Sequence, residues 1–373
     1  MKLVFIFLII SLVACKEKYD IKVTSASQSS MVVDGNLNSN GSVTTILLSK
    51  TVPLQDSIKL NAETAATITV EGKDNSQANL QETLPGTYTG NLNIIIGNEY
   101  RLRIKTKDGK VYLSDYVLAK QNPPIDSISW ARGNDGVTIY ANTHDPQNST
   151  WYYRWYYEET FEYHSHYASS MKYVETTNEV VQRLPSELVR VCWRTNISND
   201  ILIGSSAKLN SDIISEFPLI FIPNNSEKLS VRYSIYVKQY ALTKEAFNYL
   251  QIMKKNTESI GSIFGVLPAE VNGNIHCISN PAEQVIGYLT ASPEQQKRIF
   301  IDTSQLSGWN YFMPCQELQI PNIPDSLKLA FPALVPISPV YGSSPKPVAF
   351  TASDPDCVDC THKGGTTTKP SFW

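Results

Sequence analysis

At 373 residues, 42% of them hydrophobic, the chain is long enough to bury more than one core, and two domains are the expectation from length. A formal charge of −3 with 18% charged residues removes the electrostatic case for nucleic acid or a strongly charged polymer as partner. Twenty tyrosines in so weakly charged a chain suit a β-rich protein made for the outside of the cytoplasm.

The first segment, 1–15, reads as a lipoprotein signal. Lys2 supplies the positive end, and Leu3 to Val13 form an apolar run too short to span a bilayer as a mature helix. Leu12-Val13-Ala14-Cys15 has the form of a lipobox, which makes Cys15 the acylated first residue and attaches the protein to a membrane by fatty chains. Residues 16–30 are polar and serine-rich and read as a flexible tether.

A run of short strands follows over 31–120. Met31 to Leu37, Thr44 to Thr51 and Ala66 to Glu71 have strand character, the last alternating Ala66, Ile68 and Val70 with Thr67, Thr69 and Glu71. Tyr100, Leu102 and Ile104 alternate with Arg101, Arg103 and Lys105, and Asp108-Gly109 turns this strand into a hairpin with Val111 to Leu118. The pattern is that of a small β-sandwich of immunoglobulin or transthyretin type, with its basic stripe on a solvated face. Asn122-Pro123-Pro124 cannot continue a central strand and marks a boundary.

The second unit, 125–320, is expected to be larger and mainly β. Its centre is WYYRWYYEETFEYHSHY, residues 151 to 167. Trp151, Tyr153, Trp155, Tyr157, Phe161 and Tyr163 fall on one face, and Arg154, Glu158, Glu162, His164 and His166 on the other. This is either one very long half-buried strand or a strand bent by a bulge near Glu158-Glu159. Further strands are expected at Val191 to Arg194, Ile201 to Gly204, Leu219 to Ile222 and Leu229 to Tyr240. The period then changes. Thr243 is a candidate N-cap, and Ala246, Tyr249, Leu250 and Met253 recur at helical spacing, which predicts one α-helix near 243–260. Strands resume at Ile275, Gln284 to Thr290 and Arg298 to Asp302. From 321 to 373 frequent prolines predict an extended C-terminal wrap without new layers, and Phe372-Trp373 predict an end that docks into a pocket.

Six cysteines less Cys15 leave five, so at most two disulfides form in an oxidising compartment and one thiol is left over. A zinc site from Cys315, Cys357, Cys360 and His362 is chemically available, but export favours disulfides.

Site chemistry is sparse. Glu162, His164 and His166 share a strand face at roughly 7 Å spacing, which suits a metal, yet solvent-facing polar positions account for the same residues. Glu158 and Glu159 point to opposite faces and cannot flank one glycosidic bond. No nucleophile elbow, phosphate loop or nucleotide fingerprint is present, so the expectation is a non-enzyme with no metal and no cofactor. Trp151, Tyr153, Trp155 and Tyr157 are the candidate ligand-contact aromatics, with core packing as the competing use of the same rings.

A set of motifs then accumulates: Leu48-Ser49-Lys50-Thr51, Tyr152-Tyr153-Arg154-Trp155 with Glu158-Glu159, Cys192-Trp193, Leu229 to Ser234, Gln239 to Thr243, Gly261 to Phe264, Gly273-Asn274-Ile275, Ile286-Gly287-Tyr288, Cys357-Val358-Asp359-Cys360 and the Gly364-Gly365 to Trp373 end. Together they resemble a Bacteroidota outer-membrane lipoprotein family of unknown function, DUF four-two-four-nine. The short charged run Lys16 to Asp20 is likewise similar to the surface-export signal of such lipoproteins. The resemblance implies a cell-surface-exposed, lipid-anchored subunit of an outer-membrane β-barrel complex, a TonB-dependent transporter above all, serving as lid or accessory. It implies no catalytic residue. It also leaves Cys277 as the odd thiol and Cys192, Cys315, Cys357 and Cys360 as the paired set, with three pairings open. A glycan- or peptide-binding surface module and a subunit of an outer-membrane protein assembly or secretion machine are the rival readings.

Overall fold

The computed structural model describes residues 29–39, 41–52, 61–259, 272–331 and 333–373. The expected signal segment with Cys15, residues 16–28 of the expected tether and Gly261 to Phe264 lie outside the described residues.

The described chain is mainly β, as its alternating sequence dictates. A twelve-stranded sheet curls on itself to form the first unit. Its core strands are Met31–Leu37, Val43–Lys50, Thr67–Gly72, Gln77–Leu84, Thr87–Asn91 and Glu99–Lys105. Strand Gln77–Leu84 carries the fold from one layer to the other: its first half pairs with Thr67–Gly72 and its second with Thr87–Asn91. The Asp108-Gly109 hairpin forms, with Gly109 at φ 88°, a turn conformation that costs a Cβ-bearing residue energy. Both open edges are then covered by a segment from far downstream. Ile275–Cys277 pairs antiparallel with Val111–Ser114, while Val285–Gly287 and Thr290–Ala291 run parallel to Met31–Leu37. Ile275, Val285, Leu289 and Ala291 bury themselves in the same core as Met31, Leu48, Tyr88 and Leu102. Residues 275–291, which the sequence places in the 125–320 unit, are therefore strands of the first unit. Unpaired edges invite wrong pairing, and this return removes two of them.

The second unit is a sandwich of two sheets. Ile125–Arg132, Gly136–His144 and Ile213–Pro223 form one layer. The other is centred on the aromatic strand Tyr152–His164, flanked by Arg232–Ala241 on one side and by Val191–Ile197 and Leu202–Ser205 on the other, with Gln295–Asp302 outermost. The aromatic strand runs thirteen residues, and its register with Arg232–Ala241 is unbroken from Tyr153↔Ala241 to Glu162↔Arg232, so no bulge interrupts Glu158-Glu159. Tyr153, Trp155, Phe161 and Tyr163 meet Val137, Ile139 and Ile222 of the facing layer in a single core. The indole of Trp155 stacks on Phe217 with ring centres 4.3 Å apart. Gly204 lets both rings approach, because a Cβ there would sit 2.9 Å from Trp155.

The junction at Asn122-Pro123-Pro124 is locked from within. The amide of Asn122 donates to the carbonyls of Gln239 (2.7 Å) and Pro293 (2.8 Å). The Gln239 amide in turn donates to Pro123 O at 2.9 Å and accepts from Trp155 Nε1 at 2.9 Å. Both side chains are fully buried, so every partner is needed. Chain linker and aromatic strand are thereby fastened to one residue.

The helix is found over Lys244–Ser259, with Thr243 Oγ1 accepting from Ala246 N as an N-cap. Its apolar stripe of Ala246, Tyr249 and Leu250 packs on Tyr152, Ile203 and Tyr288, between the two units. Two further short helices, Pro324–Ala330 and Pro355–Val358, start on proline at a position where the missing N–H is not used. The C-terminal segment is not a wrap without layers. Leu318–Pro321, Pro347–Ser353 and Val335–Tyr341 form a three-stranded antiparallel sheet that packs with the hairpin Met171–Val174 and Glu179–Gln182. Its prolines sit where a ladder tolerates them: Pro347 opens the central strand, and Pro336 lies at a register shift on an edge strand. The disulfide Cys192–Cys360 ties this end to the body, Cys315–Cys357 joins the two ends of the C-terminal sheet segment, and Cys277 is a free, buried thiol among the described residues.

Candidate functional site

Where the first unit meets the outer face of the aromatic sheet there is a cleft of about 710 Å³, within the range of about 300–1,000 Å³ for small-ligand sites. One wall is the start of the chain's first hairpin: Asp34, Asn36, Val43 and Leu47. The other wall is read off three neighbouring strands. Register places Arg154 opposite Tyr240 and Tyr156 opposite Lys238, and Glu158, Glu294 and Gln296 complete it.

The cleft is floored by tyrosines. Tyr156 and Tyr240 meet edge to face at 5.8 Å, and the guanidinium of Arg154 lies over Tyr156 at 4.2 Å. Burial pushes both phenols well above the ordinary tyrosine range, so they are neutral hydroxyls at physiological pH. Charges inside the cleft are compensated locally. Arg154 Nη1 lies 3.5 Å from Asp34 across the two units, Lys238 Nζ 3.3 Å from Glu294, and Arg298 Nη2 3.9 Å from Glu158. The Tyr240 hydroxyl donates to Glu294, whose backbone N–H donates to Asn38 Oδ1 at 2.7 Å. The arrangement can hold a polar molecule against aromatic rings. Behind Arg154, a second cavity of about 240 Å³ opens between the helix residues Tyr249 and Met253 and the strand residues Val32 and Val33.

The same sheet face continues away from the cleft as alternating arginines and rings. Arg298 lies over Tyr236 at 4.5 Å and Arg232 over Phe300 at 4.5 Å. The chain end covers this stretch: Phe372 packs 3.7 Å from the Arg298 guanidinium, and Trp373 Nε1 donates to Glu162 at 3.1 Å. The C-terminal aromatics thus dock on an open sheet face, with Phe372 still 38% exposed, where the sequence predicts a pocket.

The sequence candidates are placed as follows. Tyr153 and Trp155 are fully buried in the sandwich core, Tyr157 is 8% exposed at the edge of the cleft, and Trp151 stands at the strand entry outside it. Of the ligand-contact aromatics expected on that face, Tyr153 and Trp155 are core residues, because two facing sheets require an apolar filling between them, while Tyr157 both packs in that core and borders the cleft. The rings that do face the cleft, Tyr156 and Tyr240, come from the opposite face of this strand and from its neighbour. A signal for them existed in the register of 229–240 against 151–163, which needs the pairing to be known. Glu162 and His164 pair with each other at 3.0 Å, while His166 packs on Tyr167 beyond the strand end. His144, His276 and His362 lie apart, each beside its own aspartate. Among the described residues no group of three or more His, Cys, Asp and Glu side chains gathers in metal-binding geometry. Glu159 points inward, as strand alternation requires, and its carboxylate accepts from Lys228 (2.6 Å), Tyr233 (2.8 Å) and Asn196 (2.9 Å).

The family model described as "Domain of unknown function (DUF4249)" matches residues 16–298. The chain belongs to this family. DUF4249 thus covers the first unit, the return through 275–291 and the aromatic sheet up to the middle of its outermost strand, and stops short of the C-terminal sheet. No curated protein matches the sequence. Among solved structures, a protein from Bacteroides uniformis ATCC 8492, provisionally described as carbohydrate binding, is 10% identical, with 58% of this chain and 91% of that chain covered at a TM-score of 0.16. At that score the likeness carries no weight for fold or ligand.

Proposed function

We propose that this protein is a lipid-anchored, non-enzymatic accessory subunit that stands at the mouth of an outer-membrane β-barrel complex, a TonB-dependent transporter in the first instance. The supporting observation is the position of the cleft relative to the anchor. Its wall begins at Asp34, on the first described strand, Met31–Leu37, which directly follows the tether from Cys15. Fifteen residues from 16 to 30 reach at most on the order of 50 Å. Acylation at Cys15 therefore keeps the cleft within that distance of the membrane and raises its effective concentration at any barrel beneath. The buried Asn122–Gln239 lock and the return through 275–291 make the two units move together, which suits a cover better than a hinge.

Gentle detergent extraction of the outer membrane, affinity capture and mass spectrometry decide the matter. A TonB-dependent barrel recovered in near-equal amount is the expected result. Recovery of an assembly or secretion machine in its place would move the protein to that complex, and a lone monomer would end the proposal. Cys15→Ser should release the protein into the soluble fraction; continued membrane attachment would end the anchor reading.

A further inference from the structure

We propose that the cleft between the two units binds a neutral oligosaccharide. Four features of its walls point to that chemistry. First, the ionic groups are already matched in pairs, Arg154 with Asp34, Lys238 with Glu294 and Arg298 with Glu158. A charged ligand would have to break one of these pairs, whereas hydroxyl groups can share them, since Glu158 and Lys238 remain 38% and 40% exposed. Second, donors and acceptors are both present along one wall: the exposed Gln296 amide, the Lys238 ammonium and the Glu158 carboxylate. A polyol needs that mixture, because each hydroxyl both gives and accepts.

Third, the floor is aromatic and the lip aliphatic. Tyr156 and Tyr240 offer rings, and Val43, Leu47 and Ile197 stand exposed around them. Sugar rings carry C–H faces that pack on such surfaces while their edges stay polar. Fourth, four of the strands that line the cleft have no free edge. Met31–Leu37, Val43–Lys50, Tyr152–His164 and Arg232–Ala241 are each paired on both sides. A peptide cannot be added to these four as an extra strand, whereas the outermost Gln295–Asp302, which brings Gln296, has a free edge, so most of the lining recognises its ligand by side chains. This places glycan recognition on the outer face of the aromatic strand and not on its buried Tyr153 and Trp155.

The test uses full-length, detergent-solubilised protein and titration calorimetry with a panel of neutral hexasaccharides: maltohexaose, cellohexaose, laminarihexaose, xylohexaose and mannohexaose. Heparin and a casein-derived peptide pool serve as comparison ligands. Saturable binding of at least one neutral member, insensitive to added salt, is expected. Tyr156→Ala should weaken it by about tenfold or more. Exposed Gln296→Ala should weaken it by about threefold, which keeps the readout should Tyr156→Ala fail to fold. Absence of saturable binding across the panel, unchanged affinity in both variants, or salt-sensitive binding of heparin or peptides alone would overturn the proposal. The readout is made on the isolated protein, so it stands or falls separately from any barrel partner.

Discussion

Single residues decide how the aromatic strand is held. Glu158 and Glu159 are neighbours in sequence, yet one lines a cleft and the other sits 3% exposed beneath the sheet. Glu159→Ala would leave Lys228 Nζ and the Tyr233 hydroxyl without their acceptor, a loss expected to cost about 3 kcal/mol in denaturant unfolding. Glu159→Gln, which keeps one oxygen for Lys228 and Asn196 and turns an amide N–H towards the Tyr233 hydroxyl, should cost less. The strand entry depends on two more carboxylates. Asp212 accepts from the Tyr153 hydroxyl at 2.6 Å, and Asp145 accepts from Ser149 N (2.8 Å), Ser149 Oγ (2.7 Å) and Gln147 N (3.0 Å). Burial works against the Asp145 charge, but the donors of Ser149, Gln147 and Thr150 prevail and hold its pKa at about 2, below the ordinary 3.8. A depressed carboxyl stabilises the fold above its unfolded pKa, so this contribution, about 2 kcal/mol, is complete at neutral pH and is lost as pH falls from about 4 towards 2. Asp145→Asn should therefore be less stable than wild type at neutral pH, with the gap narrowing through that acid window.

Elements show which local rules prevailed. The helix Lys244–Ser259 and the Asp108-Gly109 hairpin lie where spacing and turn chemistry put them, because both are set by residues within a few positions of one another. The proline-rich end misled for an equally local reason. Prolines are read as breaking sheets, but edge strands, strand starts and bulges admit them, and that is where Pro336, Pro339 and Pro347 stand. This end is tied to the body over long distances. The Cys192–Cys360 bond joins residues 168 apart, beside a backbone bridge between Trp193 and Thr366. Cys360→Ser is expected to lower stability by about 2–5 kcal/mol, measured as a drop in melting temperature that reducing agent reproduces in the wild type.

At the scale of the molecule, the return of 275–291 is the feature with most consequence. A fragment ending at residue 120 keeps the strands of the first unit but loses Ile275, Val285, Leu289 and Ala291 from its core, and both closing strands from its edges. Such a fragment should be unfolded or aggregated by circular dichroism and light scattering. Adding 272–298 through a short linker should recover a cooperative transition. The return and the residues just after it also supply Thr290 and Glu294 to the cleft, so the segment that closes the first unit helps to build the candidate site.

The sequence by itself determined what depends on neighbouring residues: mainly strand, one long helix, an aromatic strand with one face turned inward, and Glu158 separated from Glu159. Period-two alternation is a local property, and an apolar face finds a core whatever covers it. Only the tertiary structure decided which rings remain accessible. Tyr156 and Tyr240 are eighty-four positions apart in sequence, and Asp34 meets Arg154 from a different unit. Cross-strand neighbours and inter-unit contacts are set by pairing and chain return, and a single sequence read along its length holds no record of either.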